Sequence, residues 1–374
     1  MQLSKARIGL ALSGGGMRAA IFHLGALKYL AQTGLYDRVT SISSVSGASL
    51  CIGVILAANG NAWPGAQRFY TTTLPAVREI ILGHDIQRLA LRRLAFSSRL
   101  WLHSRVLLIA KALEDSWGIT GTIQDLPGHP YWEINCTTFE TGGRFRIRRD
   151  YMGDQAIGFT QQPRLPVSHM MAASAGFPVL IGPYTLDTGD KRWTKDKWGK
   201  DEEAGVAPRY TLWDGGVYDN LGLEALYKTG RGLDNEIDFL IVSNASAPIT
   251  HRERGRDLSL RNTLRLLDIA LRQADALRSR EVLASIVSKG KGMYLKIGDS
   301  AQAIAQCFGL SPGQAKILCA DCLSPEEAAL VRDHPTTLRT PKPAGFDRIL
   351  RHGFENAMCT HLFGEVAGRH VYTL

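Results

Sequence analysis

Apolar and polar positions follow two rhythms in the first sixty residues. Ile8-Gly-Leu-Ala-Leu12 is a short continuous apolar run, the pattern of a buried strand. From Ala19 to Thr33, Ile21, Leu24, Leu27, Leu30 and Ala31 recur at helical spacing, and Gly34 ends the helix. Val39 to Ser43 predicts a second strand, and Gly47 to Ala58 a second helix closed by Asn59-Gly60. Two strand–turn–helix units in succession predict parallel βα units, hence an α/β fold around a mainly parallel sheet.

Residues 60–128 change character. Two or three helices rich in Leu and Arg are expected, with Arg88, Arg92, Arg93, Arg99, Arg105 and Lys111 against Asp85 alone between His84 and Lys111. This segment reads as a helical, basic cap inserted into a domain spanning 7–250. Tyr131 to Thr138 returns to strand character, and Gly143 to Arg148 alternates strictly, with Arg144, Arg146 and Arg148 on one face of an expected edge strand. Ser168 to Ala175 predicts a helix of small residues, Tyr210 to Trp213 and Phe239 to Ser243 two more strands. A polar loop from Asp187 to Pro208 carries Trp193 and Trp198 among lysines. The remainder, 251–374, is expected to be a helical extension packed on the same domain. Its long helix, 261–287, is expected to lay the stripe Leu260, Leu264, Leu267, Leu271, Ala274 and Leu277 on the core.

Length and composition narrow the class. A chain of 374 residues with 45% hydrophobic and 21% charged content can bury a large core and is not a disordered chain. Val39 to Gln67 carries no charge, but Ser43, Ser44, Ser46, Asn59, Asn61 and Pro64 interrupt it, so a buried core helix fits better than a membrane span. No secretory leader is visible at the start. The six cysteines are scattered, the pattern of a reduced compartment. Cys319-Ala-Asp-Cys322, flanked by Cys307 and His334, has spacing a zinc site can use, but one CxxC more often marks unpaired loop cysteines, and no metal or other cofactor is expected. The net charge of +9 favours anionic partners.

Three short motifs carry chemistry. Gly14-Gly15-Gly16 gives a bare backbone at a helix start, where exposed N–H groups suit an oxyanion. Arg18 either braces that loop or adds positive potential, against the plainer reading of a core-edge arginine. Ser46, in Ser44-Val45-Ser46-Gly47-Ala48, lies on an expected strand-to-helix elbow, as a nucleophile of the G-x-S-x-G type does. Both outer glycines are replaced, so a serine-rich turn competes, and Ser44 is a second, weaker candidate. Asp214, before Gly215-Gly216, follows a strand and is placed to accept the Ser46 proton, although Asp-Gly-Gly alone is commonly a turn. No histidine has a convincing catalytic context; His23 and His169 read as structural.

Together, Gly14-Gly15-Gly16-Met17-Arg18, Ser46 and Asp214-Gly215-Gly216, in this order, resemble the patatin-like phospholipase family. Ala173-Ser174-Ala175-Gly176-Phe177-Pro178 resembles the small-residue helix and proline that precede the family's aspartate strand. The resemblance covers about residues 7 to 248. It implies an α/β/α sandwich and a Ser46–Asp214 dyad without a histidine. It further implies an oxyanion hole from Gly14, Gly15, Gly16 and Arg18, no metal, and cleavage of phospholipid acyl esters.

The implied partner is a phospholipid surface, with the chain cytoplasmic and peripheral to an inner membrane. The arginine-rich 84–111 segment and the Trp193/Trp198 loop offer interfacial chemistry, and a solvated cap and loop is the plainer alternative. Some bacterial members of that family are antiphage effectors switched on by cyclic nucleotides, so a cyclic nucleotide is carried as a candidate activator, with the Arg144–Arg148 face as its candidate seat. A homo-oligomer is compatible; a nucleic-acid polymer is not expected. Two other functions compete. Gly14-x-Gly16-x-x-Ala19, with Asp37 near ribose distance, fits the fingerprint of a dinucleotide-binding oxidoreductase. A non-catalytic lipid- or nucleotide-binding module would explain the altered elbow.

Overall fold

Strand β1 (Ile8–Leu12) is buried along its whole length. Ile8, Leu10 and Leu12 face one core and Ala11 the other, which requires cover on both sides of the sheet. The computed structural model describes residues 3–96, 105–178, 181–189, 191–246 and 260–367. After β1 the chain forms α1 (Gly16–Gln32), β2 (Val39–Val45) and α2 (Gly47–Ala57). The cap follows as α3 (Ala66–Arg68), continued through a wide turn at Phe69–Thr73 into α4 (Leu74–Gly83), then α5 (Ile86–Phe96) and α6 (Arg105–Trp117). Next come β3 (Tyr131–Thr138), β4 (Arg144–Ile147), β5 (Tyr151–Asp154), β6 (Gly158–Gln161), α7 (Val167–Ser174), β7 (Tyr184–Asp187), β8 (Arg209–Asp214) and α8 (Gly216–Asp219). Two short strands, β9 (Tyr227–Lys228) and β10 (Gly232–Leu233), pair with each other. The chain closes with β11 (Phe239–Asn244), α9 (Leu260–Val282), β12 (Gly292–Lys296), α10 (Ala301–Cys307), α11 (Pro312–Leu318), α12 (Pro325–Arg332) and α13 (Pro343–Val366).

The main sheet runs β12-β11-β1-β2-β3-β4-β5-β6. Its five strands from β12 to β3 are parallel, and β4, β5 and β6 extend it antiparallel. One edge of β3 is shared. It carries β2 as far as Asn135, opposite Val45, and β8 from Cys136, opposite Asp214. The other edge of β3 holds β4.

Helices α1, α2 and α13 cover the face of Ile8, Leu10 and Leu12, while the end of α9 (Val282) and the turn after it (Leu283, Ile286, Val287) cover the opposite face with Leu240 and Val242. The α1–α13 crossing is close. A Cβ at Gly25 would stand 2.0 Å from the Leu350 carbonyl oxygen, and one at Gly353 2.0 Å from that of Phe22. Only a glycine at each position lets the two backbones approach this far. Helix α2 is buried from Gly47 to Leu56, which accounts for its apolar sequence. No helix among the described residues is long and apolar enough to cross a membrane.

Several sequence expectations change. Strand β4 lies between β3 and β5, so it is not an edge strand. The extension beyond 251 is not wholly helical, since β12 joins the sheet beside β11. The α9 stripe does not seat on the core. Leu277 is 62% exposed, and before the helix's last residue, Val282, the side chain it buries is that of Asp275, at 6%. Its inward face is polar because it backs the glycine loop, as shown below. Trp193 is buried in the main core, whereas Trp198 is exposed with Lys197 over its ring. The cap helices turn Phe69, Val77, Ile81, Ile86, Val106, Ile109 and Leu113 into the main core and leave Arg88, Leu91 and Arg92 exposed. Arg99 and the side chain of Leu260 lie outside the described residues.

Candidate active site

The shared edge of β3 brings two distant segments together. Val45 is the last residue of β2 and Ser46 follows it; Asp214 is the last residue of β8. Because β8 takes over the β3 edge one residue beyond where β2 leaves it, Ser46 and Asp214 become neighbours. The Ser46 side chain lies near enough to the Asp214 carboxylate to favour its charged form.

Ser46 has φ 54° and ψ −117°, a conformation a non-glycine residue adopts only when its surroundings hold it. The holding groups are present. The Ser46 amide donates to Ser174 Oγ at 3.0 Å, and Ser174 Oγ donates to the Asn135 carbonyl at 2.8 Å. A row of hydroxyls continues behind it. Trp132 Nε1 donates to Ser44 Oγ (2.8 Å), Ser44 bonds Ser49 (2.9 Å), and Ser49 bonds Ser174 (3.0 Å). This explains the departure at the elbow. Where the usual pattern has glycine, Ser44 is a buried strand residue that ties the elbow to α7 and β3, and it is not an alternative nucleophile.

Asp214 is 3% exposed and accepts 2.7 Å from the Gly216 amide. Burial disfavours its charge and pushes its pKa up to about 7, against the lowering effect of the Gly216 amide and the Ser46 side chain. Its backbone is fixed by the small-residue segment. The Asp214 amide donates to the Gly176 carbonyl and the Gly215 amide to that of Ser174.

The glycine loop passes directly over Ser46. A Cβ on Gly14 would stand 3.1 Å from the Ser46 Cβ. Gly15 (φ 145°) and Gly16 (φ 64°) take backbone conformations that side chains resist. The Gly14 amide is spent on the Asn220 carbonyl (3.0 Å) and that of Met17 on Thr337 (2.8 Å). The Gly15 and Gly16 amides meet no acceptor among the described residues. They stand at the start of the 17-residue helix α1, where its dipole is positive. Gly14 therefore contributes space, and Gly15 and Gly16 contribute donors. Arg18 is buried and donates to the carbonyls of Arg332 (2.9 Å), His334 (2.7 Å) and Ala245 (3.0 Å). It ties the loop to the C-terminal extension; desolvation lowers its pKa to about 10.

Sequence reasoning missed the supporting polar residues. Asn220 Nδ2 donates to Ser246 Oγ (2.6 Å) and Asp275 (3.2 Å), and a Cβ on Gly14 or Gly216 would strike its Oδ1 at 2.5 and 2.6 Å. Burial raises Asp275 to about 6. Asn220 follows Asp214-Gly-Gly by four residues, the one signal that was available. Asn135, Ser174 and Thr337 carried none.

The remaining candidates fall outside the site. His23 is fully buried between Ser243 Oγ and the Ser13 carbonyl, and desolvation lowers its pKa to about 4. His169 contacts Tyr184 at 3.5 Å. Asp37 precedes β2, at the opposite end of the sheet from the glycine loop, and caps α3 through the Ala66 amide at 2.8 Å. A ribose contact requires an acid at the carboxyl end of that strand, so the dinucleotide reading fails on geometry. Of the arginine row, Arg144 is buried and ion-paired with Glu133 at 2.9 Å, Arg146 lies over Phe159, and Arg148 lies between Tyr131 and Tyr151.

A hydroxyl on a strained strand-to-helix turn, beside a buried carboxylate and faced by two free amides, is built for acyl transfer to serine on an α/β scaffold. The sequence matches the family model "Patatin-like phospholipase" over residues 10–227, and the chain belongs to that family of lipid acyl hydrolases. No curated protein sequence matches it. Among solved structures it is similar to human GIVD cytosolic phospholipase A2, with TM-score 0.52 and 14% identity over 98% of this chain and 62% of that one. The same human protein in complex with methyl γ-linolenyl fluorophosphonate gives TM-score 0.52, 15% identity, 98% and 59% coverage. VipD from Legionella pneumophila matches at TM-score 0.41 and 15% identity, over 96% and 67%. The chain thus spans about three fifths of the human protein's length, and at these identities the likeness is one of fold.

Proposed function

We propose that this protein cleaves acyl esters of membrane phospholipids as a phospholipase A, using Ser46 and Asp214 as a catalytic dyad. The β3 register that sets the strained Ser46 beside the buried Asp214 carboxylate carries the reading. Asp214 takes the Ser46 proton as the serine oxygen attacks the ester carbonyl. The carbonyl oxygen becomes an anion, received by the Gly15 and Gly16 amides with the α1 dipole behind them. Collapse expels the lysophospholipid alkoxide, which takes the proton from Asp214. Water then attacks the acyl-serine, giving its proton to Asp214, and the proton returns to Ser46 as the fatty acid leaves. Burial serves this chemistry, because a carboxylate whose pKa lies near 7 is a stronger base than an ordinary one.

Lipid surfaces are the partner class proposed. Exposed Leu91 beside Arg88 and Arg92 on the cap, and exposed Trp198 beside Lys197, combine apolar and cationic groups suited to an anionic headgroup layer.

The test is fatty-acid release from mixed anionic liposomes by wild type and by Ser46→Ala, each with and without a panel of cyclic nucleotides. Release by wild type alone supports a constitutive lipase. Release only with one nucleotide adds gating to the same site. No release and no labelling of Ser46 by a fluorophosphonate rejects the proposal in favour of a binding module.

A further inference from the structure

Three cysteines remote from the candidate active site converge. Cys319 and Cys322 flank the turn between α11 and α12, with the Cys322 amide on the Cys319 carbonyl at 3.3 Å, and Cys359 faces them from α13. Cys359 Sγ is 3.1 Å from Cys319 Sγ and 3.8 Å from Cys322 Sγ, and all three sulfurs lie within 4.8 Å of one another. The sequence spacing had offered Cys307 and His334 beside the CxxC pair; the fold supplies Cys359 in their place.

We propose that Cys319, Cys322 and Cys359 bind one thiophilic divalent cation, Zn2+ in the first instance. Thiolates at about 2.3 Å from a tetrahedral zinc stand about 3.8 Å apart. The Cys322–Cys359 edge already has that length, and the Cys319–Cys359 edge needs to open by about 0.7 Å. Binding displaces three thiol protons to solvent and leaves three sulfur ligands, with water or a small thiol in the fourth position. Cys322, the one of the three that is only partly buried, gives solvent a route there. Arg351 donates to the Asp321 carbonyl within the CxxC turn and to Glu355 at 2.6 Å, which fixes that turn against α13.

The fold has a use for such a link. Helices α10, α11 and α12 have seven, seven and eight residues, and the satellite core has six buried members, Ile304, Ala305, Ala315, Cys319, Cys359 and Phe363, none of them from α12. Units with so little core are commonly stapled by a metal. The α12 end matters for the site, because Arg332, His334 and Thr337 supply the carbonyls that hold Arg18 and Met17.

The experiment uses the full chain without an affinity tag, purified in chelator-free buffer, with metal quantified by mass spectrometry. About one zinc per chain is expected, lost in Cys322→Ser and Cys359→Ser and kept in Cys307→Ser. Since the first two variants can fail to fold, the wild-type chain is also stripped of metal and titrated with Co2+. Thiolate-to-cobalt charge transfer in the near ultraviolet and tetrahedral ligand-field bands in the red are expected, bleached by added Zn2+. Substoichiometric metal with no cobalt bands, or a Cys319–Cys359 disulfide in peptide mapping, overturns the proposal.

Discussion

Val45 pairs with Asn135 and Asp214 with Cys136, on the same edge of one strand. That register, more than any single motif, sets Ser46 beside Asp214 across 168 residues of sequence. If the pair acts as proposed, each half is indispensable. Ser46→Ala and Asp214→Asn are each expected to reduce kcat by about a thousandfold or more without changing the circular dichroism spectrum. The double variant should be no worse than either single one, since the two act as a unit. A single variant retaining more than a tenth of wild-type turnover would reject the dyad.

Burial of Asp214 has opposite consequences for activity and stability. Its pKa rises from 3.8 to about 7, so the folded state holds a proton that the unfolded chain has released across that interval. Fewer protons on the unfolded side mean that stability falls as pH climbs from about 4 to 7. At roughly 1.4 kcal/mol per pH unit, the loss above pH 7 is at most about 4 kcal/mol. Activity moves the other way, because only ionised Asp214 is a base. We expect kcat/KM to rise with pH through about 7. We also expect Asp214→Asn to melt higher than wild type at pH 8 and close to it at pH 4. A variant that melts lower at pH 8 would show that the ionised carboxylate is not a burden to the fold.

Ser174 is a positioning residue for the elbow. Removing its hydroxyl orphans the Ser46 amide and breaks the row from Trp132 to Asn135. Ser174→Ala should lower kcat by about ten- to a hundredfold with little change in KM, and cost about 1–3 kcal/mol by denaturant titration. An unchanged kcat alongside lost stability would make Ser174 structural only.

The α1–α13 crossing admits no side chain at its centre. Gly353→Ala puts a methyl 2.0 Å from the Phe22 carbonyl oxygen and 3.2 Å from the Gly25 Cα. Separating the helices should cost about 1–3 kcal/mol or more, read as a lower melting temperature. Since α1 begins at the glycine loop, kcat should fall with it. An unchanged melting temperature would mean that the two helices part freely.

Local rules carried the sequence reading as far as local rules reach. The strand–turn–helix pairs at β1–α1 and β2–α2 were legible because apolar period and glycine placement are properties of neighbouring residues. The Gly15–Gly16 loop, the Ser46 elbow and the Asp214 turn were legible for the same reason. What failed depended on distant partners. Nothing near Trp193 tells that it is buried, and nothing in Arg144-x-Arg-x-Arg148 tells that β5 and β6 continue the sheet beyond β4. The α9 stripe misled because a helix with an apolar face can still turn its polar face inward when Asn220 and Ser246 need partners there. Thr337 and Arg332 were invisible as loop supports because their contribution is a carbonyl, which every residue has.

The Glu133–Arg144 pair is the sharpest test of how the arginine row is used. Both side chains are under a tenth exposed, with 2.9 Å between Nη1 and Oε1, and Arg144 also reaches Asn135 Oδ1 at 3.4 Å. Asn135 in turn donates to Ser43 and Ser44 and accepts from Ser174, so the pair stands directly behind the elbow. Arg144→Met would leave Glu133 buried and unpaired, which costs about 3–5 kcal/mol for buried pairs broken on one side. Replacing both, Glu133→Gln with Arg144→Met, removes the orphaned charge and should recover most of that loss. If Arg144 instead holds an anionic activator, the single variant would remain stable and lose only activation. Denaturant titrations of the three variants, beside fatty-acid release with and without nucleotide, separate the two roles. A stability loss in Arg144→Met that the double variant reverses assigns the arginine to the scaffold.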